Sequence, residues 1–394
     1  MAQRVAIVGV GETPFRSHSA DKTYVELAQD AAKAALDDAG MSPDEIDCVV
    51  YSMAPTEFMG VNDADKWAVD SIWAAGKPFM RIHTGGATGG SALHGGYVNV
   101  ASGQFRTCLV VGADRISETP DAQHILNLIW DRFYEHDFAL NTVTMTALMA
   151  QRYMHLRGAT EEQFARVVVR SRRNAMNNPN AHLKGEISVH DVMSSRMVAT
   201  PFKLFDICPR SAGGAAVVLA CEETAAKRCP QPAFIQGIGA VATTVFMGDR
   251  MVPSADCEMG VFAELAIPAR ECFAQAQVKD PMRDIQVAEL YDPFSFMQFP
   301  ALEAMGFCGP GEAPRLSDEG AFDMNGALAV NPSGGTLCTN PIGVTGLVRA
   351  ADAAKQVMGR AGAMQVPNVR RALATAIGGS VQFHALTVLG QEPV

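Results

Sequence analysis

A strand that ends in Gly-x-Gly occurs twice in this chain, at Val5-Ala6-Ile7-Val8-Gly9-Val10-Gly11 and at Ala233-Phe234-Ile235-Gln236-Gly237-Ile238-Gly239. Each copy opens an alternation of short apolar runs and segments of helical spacing, which restricts the chain to an α/β protein of two similar halves. After the first copy, Tyr24, Leu27, Ala28, Ala31 and Ala35 form a helical stripe that stops at Gly40, and Ser42-Pro43 leads into the apolar run Cys48–Tyr51. Thr107–Ala113 is continuously apolar, as expected of a strand covered on both faces. The second copy is followed by a helix near 262–277, a strand at 286–290, a Gly-rich turn at 331–335, a helix over 344–359 and strands at 372–377 and 383–389. A composition break at Pro230–Pro232 places the boundary there, giving halves 1–232 and 233–394. Between about 114 and 200 the pattern turns helical, near 121–134, 143–157 and 161–177, and reads as an inserted cap.

A Gly-x-Gly after a strand also opens dinucleotide folds, but neither copy completes Gly-x-Gly-x-x-Gly, and Pro14 interrupts the helix that should follow. Other function classes fall to composition. The formal net charge of −10, with 32 basic against 42 acidic residues and no Lys/Arg run, argues against a nucleic-acid partner. Nine cysteines without a Cys-x-x-Cys pair form neither a zinc-site spacing nor a secreted disulfide framework, so no metal is expected and the compartment reads as cytoplasmic. No apolar stretch approaches the roughly 18 residues of a membrane span.

Four segments carry a family resemblance: His83-Thr84-Gly85-Gly86-Ala87-Thr88-Gly89-Gly90-Ser91-Ala92, Leu290-Tyr291-Asp292-Pro293-Phe294, Asn331-Pro332-Ser333-Gly334-Gly335 through Asn340-Pro341-Ile342-Gly343, and Ala376-Ile377-Gly378-Gly379. In order and spacing they resemble the thiolase superfamily, in particular the branch of sterol-carrier-protein-x thiolases and lipid-transfer-protein thiolases and aldolases. That resemblance implies a five-layered α-β-α-β-α fold from two similar halves, usually a dimer or higher, with a homodimer expected here. It implies action on coenzyme A thioesters without a tightly bound cofactor, and often a small OB-fold and zinc-ribbon partner protein.

The same segments depart from the family's chemistry. Gly86 stands where the family's nucleophilic cysteine sits, and Ala376 replaces the acid/base cysteine of Cys-x-Gly-Gly, so both thiols of Claisen chemistry are missing. The glycine turns remain, and backbone N–H groups at Gly86 and Gly378 are candidates for holding a thioester oxygen. Tyr291 replaces an active-site polar residue, as in the lipid-transfer-protein aldolases, and a phenol can donate to an oxyanion or exchange a proton with a substrate hydroxyl. Asn340 takes the place of the Gly-His-Pro histidine and offers a donor but no base. Cys338 beside it is a candidate relocated nucleophile, with a small buried thiol as the commoner outcome. The aldolases tend to have a second tyrosine in this region; this chain has none.

Tyr134 and His136, in the cap segment, are candidate substrate contacts, while His83 and His384 read as structural. The preferred activity is retro-aldol cleavage of a β-hydroxyacyl-CoA, which needs a base for the hydroxyl proton and an oxyanion hole but no covalent nucleophile. The alternatives are thiolase-type acyl transfer and a non-catalytic acyl-CoA or lipid-binding subunit.

Overall fold

The computed structural model describes residues 3–116, 119–251 and 258–394. In chain order the first half supplies β1 (Val5–Glu12), β2 (Cys48–Ser52), β3 (Phe79–Ile82), β4 (Thr107–Arg115), the short hairpin of β5 (Met197–Ala199) and β6 (Phe202–Lys203), and β7 (Ala212–Cys221). The second half supplies β8 (Ala233–Ala242), β9 (Val287–Glu289), β10 (Ala329–Val330), β11 (Arg371–Gly378) and β12 (Phe383–Gly390).

The strand order β10-β9-β11-β12-β8-β1-β7-β4-β2-β3 sets the halves back to back. With the small hairpin set aside and strands counted within each half, both sets of five run third, second, fourth, fifth, first. They meet where β1 pairs antiparallel with β8 through Ala6–Phe234 and Ile7–Ala233. In both halves the outer three strands are parallel and the inner ones antiparallel.

Helices complete the layers. The helix Tyr24–Ala39 covers β1, β7 and β4 from outside, and Ala266–Gln275 covers β8 and β12. Two further helices, Thr88–Ala101 and Thr345–Val357, touch strands of both halves and each other, so they form the middle layer of an α-β-α-β-α stack.

The repeated Gly-x-Gly acquires its physical reason here. A β-carbon on Gly9 or Gly11 would stand 2.3 or 2.1 Å from the carbonyl oxygens of Ala35 and Ala31, and one on Gly237 or Gly239 would stand 2.2 or 2.1 Å from those of Cys272 and Pro268. In each half the two glycines let the outer helix lie directly on the first strand. They serve packing, and the incomplete nucleotide fingerprint has no structural counterpart.

One expected element differs. Instead of a helix over 121–134, the helix ends at Asn127, because the Asp131 carboxylate accepts the N–H groups of Phe133 (2.9 Å) and Tyr134 (2.8 Å) and holds the chain in turns. The helices Thr142–Arg157 and Glu161–Ala175 pack into the second half's core: Tyr153 and Phe164 lie against Phe296 and Phe299. The cluster that contains these rings also contains Tyr291. The segment between β4 and β5 is thus a wall of the region that holds the site.

Candidate active site

The sequence-distant segments singled out above converge at one end of the middle layer. The turn Thr84–Ala87 feeds the helix Thr88–Ala101 and is tied to itself: the Thr84 N–H donates to Thr88 Oγ1 at 2.9 Å, and that hydroxyl donates to the Gly85 carbonyl at 2.6 Å. Gly378 ends β11 against this turn, since a β-carbon there would meet the Thr84 oxygen at 2.1 Å and the Ala87 nitrogen at 2.5 Å. Gly86 and Gly378 therefore lie backbone to backbone.

Tyr291 follows the end of β9, and its N–H donates to Thr375 Oγ1 on the neighbouring β11 at 2.9 Å. The side chain is 6% exposed and its hydroxyl points at the glycine turn: a β-carbon on Gly86 would stand 2.5 Å from it. Burial raises the phenol well above its ordinary range, with further upward contributions from Cys208 and Asp114. The phenol is therefore protonated at rest. Next to it, the Asp292 carboxylate is fully buried and holds the Gly-rich loop, accepting from Thr336 N and Gln298 Nε2, each at 2.7 Å. Burial lifts its pKa to about 6.

Asn340 is at the centre of a polar cluster. Its Oδ1 accepts from Thr345 Oγ1 at 2.8 Å, its Nδ2 donates to Cys208 Sγ at 3.0 Å, and its N–H donates to Ser211 Oγ at 3.1 Å. Thr345 is also near enough to the Tyr291 phenol to act downward on its pKa, against the larger upward effect of burial. The Ser211 hydroxyl also meets His182 Nδ1 at 2.9 Å, and burial lowers the pKa of that imidazole, favouring its neutral form. Tyr291, Gly86, Gly378 and Asn340 are thus brought together, with Thr345, Cys208, Ser211 and His182 joining them. Sequence reasoning missed these four. A usable signal was Thr345, a hydroxyl five residues beyond Asn340 at the start of a helix.

Cys338 is fully buried in a small cluster with Ala175 and Ala181, and burial pushes its thiol up to about 12. Cys208, at the Asn340 amide, is pushed up to about 12 by the same cause. Neither thiol is a thiolate at neutral pH, which is the form a nucleophile needs. His136 and Tyr134 lie elsewhere. Tyr134 is 72% exposed and stacks edge-on against Phe246 at 5.6 Å, while His136 faces Asp137 at 3.5 Å and lines an open cavity of ≈ 570 Å³ with His124, Trp130 and Phe138. That cavity's lining includes none of Gly86, Tyr291 or Asn340. His384 is buried in β12 with Nε2 3.1 Å from the Val381 carbonyl, and His83 is half-buried beside the glycine turn. Among the described residues no cluster of His, Cys, Asp or Glu is arranged to hold a metal ion, and no helix is long and apolar enough to cross a membrane.

Beneath the site lies a buried ion pair. Arg349, from the middle-layer helix, meets Glu289 Oε2 at 2.8 Å, Ser333 Oγ at 2.7 Å and Asp352 at 3.1 Å, and both Arg349 and Glu289 are fully buried. Glu289 is two residues before Tyr291, so this pair anchors the strand end that presents the phenol to the helix that presents Thr345.

Comparison with known proteins gives the family and the fold. Residues 5–200 match the family model "Thiolase, N-terminal domain" and residues 254–391 match "Thiolase C-terminal domain-like". The chain is 30% identical to the acetyl-CoA acetyltransferase of Methanothermobacter thermautotrophicus, over 95% of this chain and 96% of that protein. It is likewise 30% identical to the 17-hydroxy-3-oxo-4-pregnene-20-carboxyl-CoA lyase of Mycobacterium tuberculosis, over 86% and 87% of the two chains. Among solved structures, the Ltp2-ChsH2(DUF35) aldolase superposes with a TM-score of 0.83 at 28% identity, over 99% of this chain and 98% of that one.

Proposed function

Because the chain belongs to the thiolase family, in the branch that includes retro-aldolases, we propose that it cleaves β-hydroxyacyl-CoA thioesters by a retro-aldol reaction. The observation that carries this reading is the Tyr291 phenol lying in the space a side chain at Gly86 would fill. A proton-exchanging group stands where the family's acyl-enzyme thiol would be.

In the reaction the Cα–Cβ bond breaks and its electron pair remains on Cα as the thioester enolate. The β-hydroxyl proton leaves as the new carbonyl forms, and a proton returns to Cα to give the shorter acyl-CoA. Tyr291 fits the role of carrier in one concerted exchange: its own proton passes to Cα as the Cα–Cβ bond breaks while its oxygen receives the β-hydroxyl proton, so the phenol begins and ends neutral, in keeping with its raised pKa. The enolate oxygen would be held by the backbone N–H groups of Gly86 and Gly378 and by the second hydrogen of Asn340 Nδ2, the first being engaged with Cys208. Coenzyme A enters as part of the substrate, with no tightly bound cofactor.

Cys338 belongs to this reading as packing, because its thiol is enclosed and protonated. Tyr134 and His136 are assigned to the outer approach, where the acyl group's far end would pass. The resemblance to an acetyltransferase keeps thiolase-type acyl transfer as the second reading. Incubation with a β-hydroxyacyl-CoA separates the two: retro-aldol cleavage releases an aldehyde or ketone and a shorter acyl-CoA at constant free CoA, whereas thiolysis consumes CoA stoichiometrically. Binding without turnover of either kind would point to an acyl-CoA-binding subunit instead.

The same reading includes a homodimer, a small OB-fold and zinc-ribbon partner, and a cytoplasmic setting. The edge strand β3, with Met80 48% exposed, supports pairing with a second copy. The aldolase neighbour's two-component name, Ltp2-ChsH2(DUF35), supports the partner. All eight described cysteines being free suits a reducing compartment. Sedimentation of the purified chain, alone and with the candidate partner, tests the assembly.

A further inference from the structure

A cavity of ≈ 690 Å³ opens at the start of β11, lined by Arg283, Arg370 and Arg371 together with Gln236, Gln286 and Glu392. β11 runs eight residues from Arg371 to Gly378. The cavity and the glycine turn therefore lie at opposite ends of one strand, roughly 23 Å apart at about 3.3 Å per residue.

The side chains that frame this cavity are locked in place. Gln236 is 7% exposed and lies across Gly390, where a β-carbon would stand 2.1 Å from its Nε2. That Nε2 donates to the Glu392 carbonyl at 2.6 Å, and Oε1 accepts from Arg371 Nε at 2.8 Å, which orients the Arg371 guanidinium. Gln286 Oε1 accepts the N–H groups of Arg370 (2.9 Å) and Arg371 (3.0 Å). Asp284, also in the lining, accepts those of Lys279 (2.9 Å) and Asp280 (3.1 Å). These acceptors are spent on the protein itself, and Glu392 is the remaining carboxylate. Donors are what the lining has left: the Nη ends of Arg371 and the whole guanidiniums of Arg283 and Arg370. Among the described residues none of the three forms an ion pair, in a chain with 42 acidic against 32 basic residues.

A guanidinium is a planar fork of donors that matches carboxylate and phosphate oxygens. One carboxylate occupies one fork, whereas a phosphoryl group has three or more oxygens and more than one negative charge to share among several. The volume is in the range of small-molecule sites. We propose that this cavity binds a phosphate-bearing anion, with Arg371 as the fixed fork and Arg283 and Arg370 completing the set. The site is separate from the glycine turn and independent of the cleavage reading.

Calorimetric titration of the purified chain with inorganic pyrophosphate at low ionic strength tests this, beside Arg371→Gln and the double variant Arg283→Gln/Arg370→Gln. Wild type should bind saturably, each variant roughly tenfold or more weaker, as loss of hydrogen bonds to a charged group implies. Added KCl should weaken wild-type binding, since salt screens exposed charges. Cleavage of a β-hydroxyacyl-CoA should stay within about twofold of wild type in both variants, which sets the site apart from the catalytic one. Titration with ADP distinguishes the source: binding at least as tight as pyrophosphate supports a phosphate carried on a larger molecule, and pyrophosphate binding without ADP binding supports a free one. Absence of saturable pyrophosphate binding to wild type overturns the proposal, and so does unchanged affinity in the variants. Should Arg371→Gln fail to fold, the double variant, whose two side chains are exposed, carries the same test.

Discussion

The Tyr291 hydroxyl stands 2.5 Å from the point that a β-carbon on Gly86 would occupy, and the ring carbon bearing it stands at 3.2 Å. Real β-carbons do not approach an oxygen so closely, so glycine at residue 86 leaves room for the Tyr291 phenol and for the Ile377 carbonyl, which lies equally near. A side chain at residue 86 and this phenol claim one volume. A chain with this geometry cannot host both.

That exclusion predicts the behaviour of Gly86→Ala. The added methyl must displace the phenol or the Ile377 carbonyl, also 2.5 Å away, and overpacking of this kind costs about 1–3 kcal/mol. Cleavage should fall with stability. In Gly86→Ala/Tyr291→Phe the hydroxyl contact is gone, so part of the lost melting temperature should return while cleavage stays low. A Gly86→Ala variant as stable and active as wild type would refute the shared-volume argument.

Tyr291→Phe keeps the ring and removes the exchangeable proton. Cleavage is expected to drop by roughly 10²–10⁴-fold, the usual contribution of a positioned acid or base, with little change in acyl-CoA affinity. Stopped-flow or discontinuous product assays, paired with equilibrium binding, read both quantities.

Cys338→Ala should behave differently. The thiol is sealed in a cluster with Ala175 and Ala181, so its removal is expected to leave cleavage within about twofold and to cost about 1 kcal/mol of stability, as loss of a small buried group does. Loss of activity in this variant, with native Cys338 open to alkylation, would favour the acyl-transfer reading.

The buried Arg349–Glu289 pair predicts a stability effect. Replacing Arg349 by Met strands Glu289 without its cation, while Asp352 keeps Lys355 at 3.2 Å, and breaking a buried pair from one side costs on the order of 3–5 kcal/mol. Chemical denaturation should show this loss, and the double variant with Glu289→Gln should recover part of it. A neutral single substitution would show that the pair is not holding the two segments together.

His94 sets an acid limit. It lies in the helix Thr88–Ala101, and its Nε2 is 3.1 Å from the Leu386 carbonyl and 3.0 Å from Thr387 Oγ1 on β12. Burial lowers its pKa from 6.5 to about 4. In that interval the unfolded chain binds the proton and the folded one does not, so stability falls as pH drops below 6.5 and levels out below about 4, by at most about 3 kcal/mol. Unfolding curves between pH 4 and 7 measure the slope, which should shrink in His94→Gln. An unchanged slope would remove His94 as its source.

Much of the architecture was legible in the chain itself. The doubled strand with Gly-x-Gly, the helical stripe ending at Gly40 and the apolar run at Thr107–Ala113 are local patterns whose period follows from helix and strand geometry. Where local chemistry competed, reading failed: the helix expected to reach residue 134 stops at Asn127 because one carboxylate, Asp131, captures two backbone N–H groups. Tyr291, Gly86 and Asn340 stand out as motif departures and Gly378 as part of a retained glycine turn, and Tyr134 and His136 were grouped with them because their loop was expected to cover the pocket.

What the sequence determined by itself is the doubled α/β frame and the absence of thiols at residues 86 and 376, since periodicity and residue identity are properties of the one-dimensional chain. What tertiary structure decided is which side chains meet. His182, Cys208, Ser211 and Thr345 join Asn340 from three separate stretches of sequence, and the phenol fills the space that Gly86 leaves. Such contacts depend on how the middle-layer helices seat the loops between two sheets. No spacing along the chain encodes that distance.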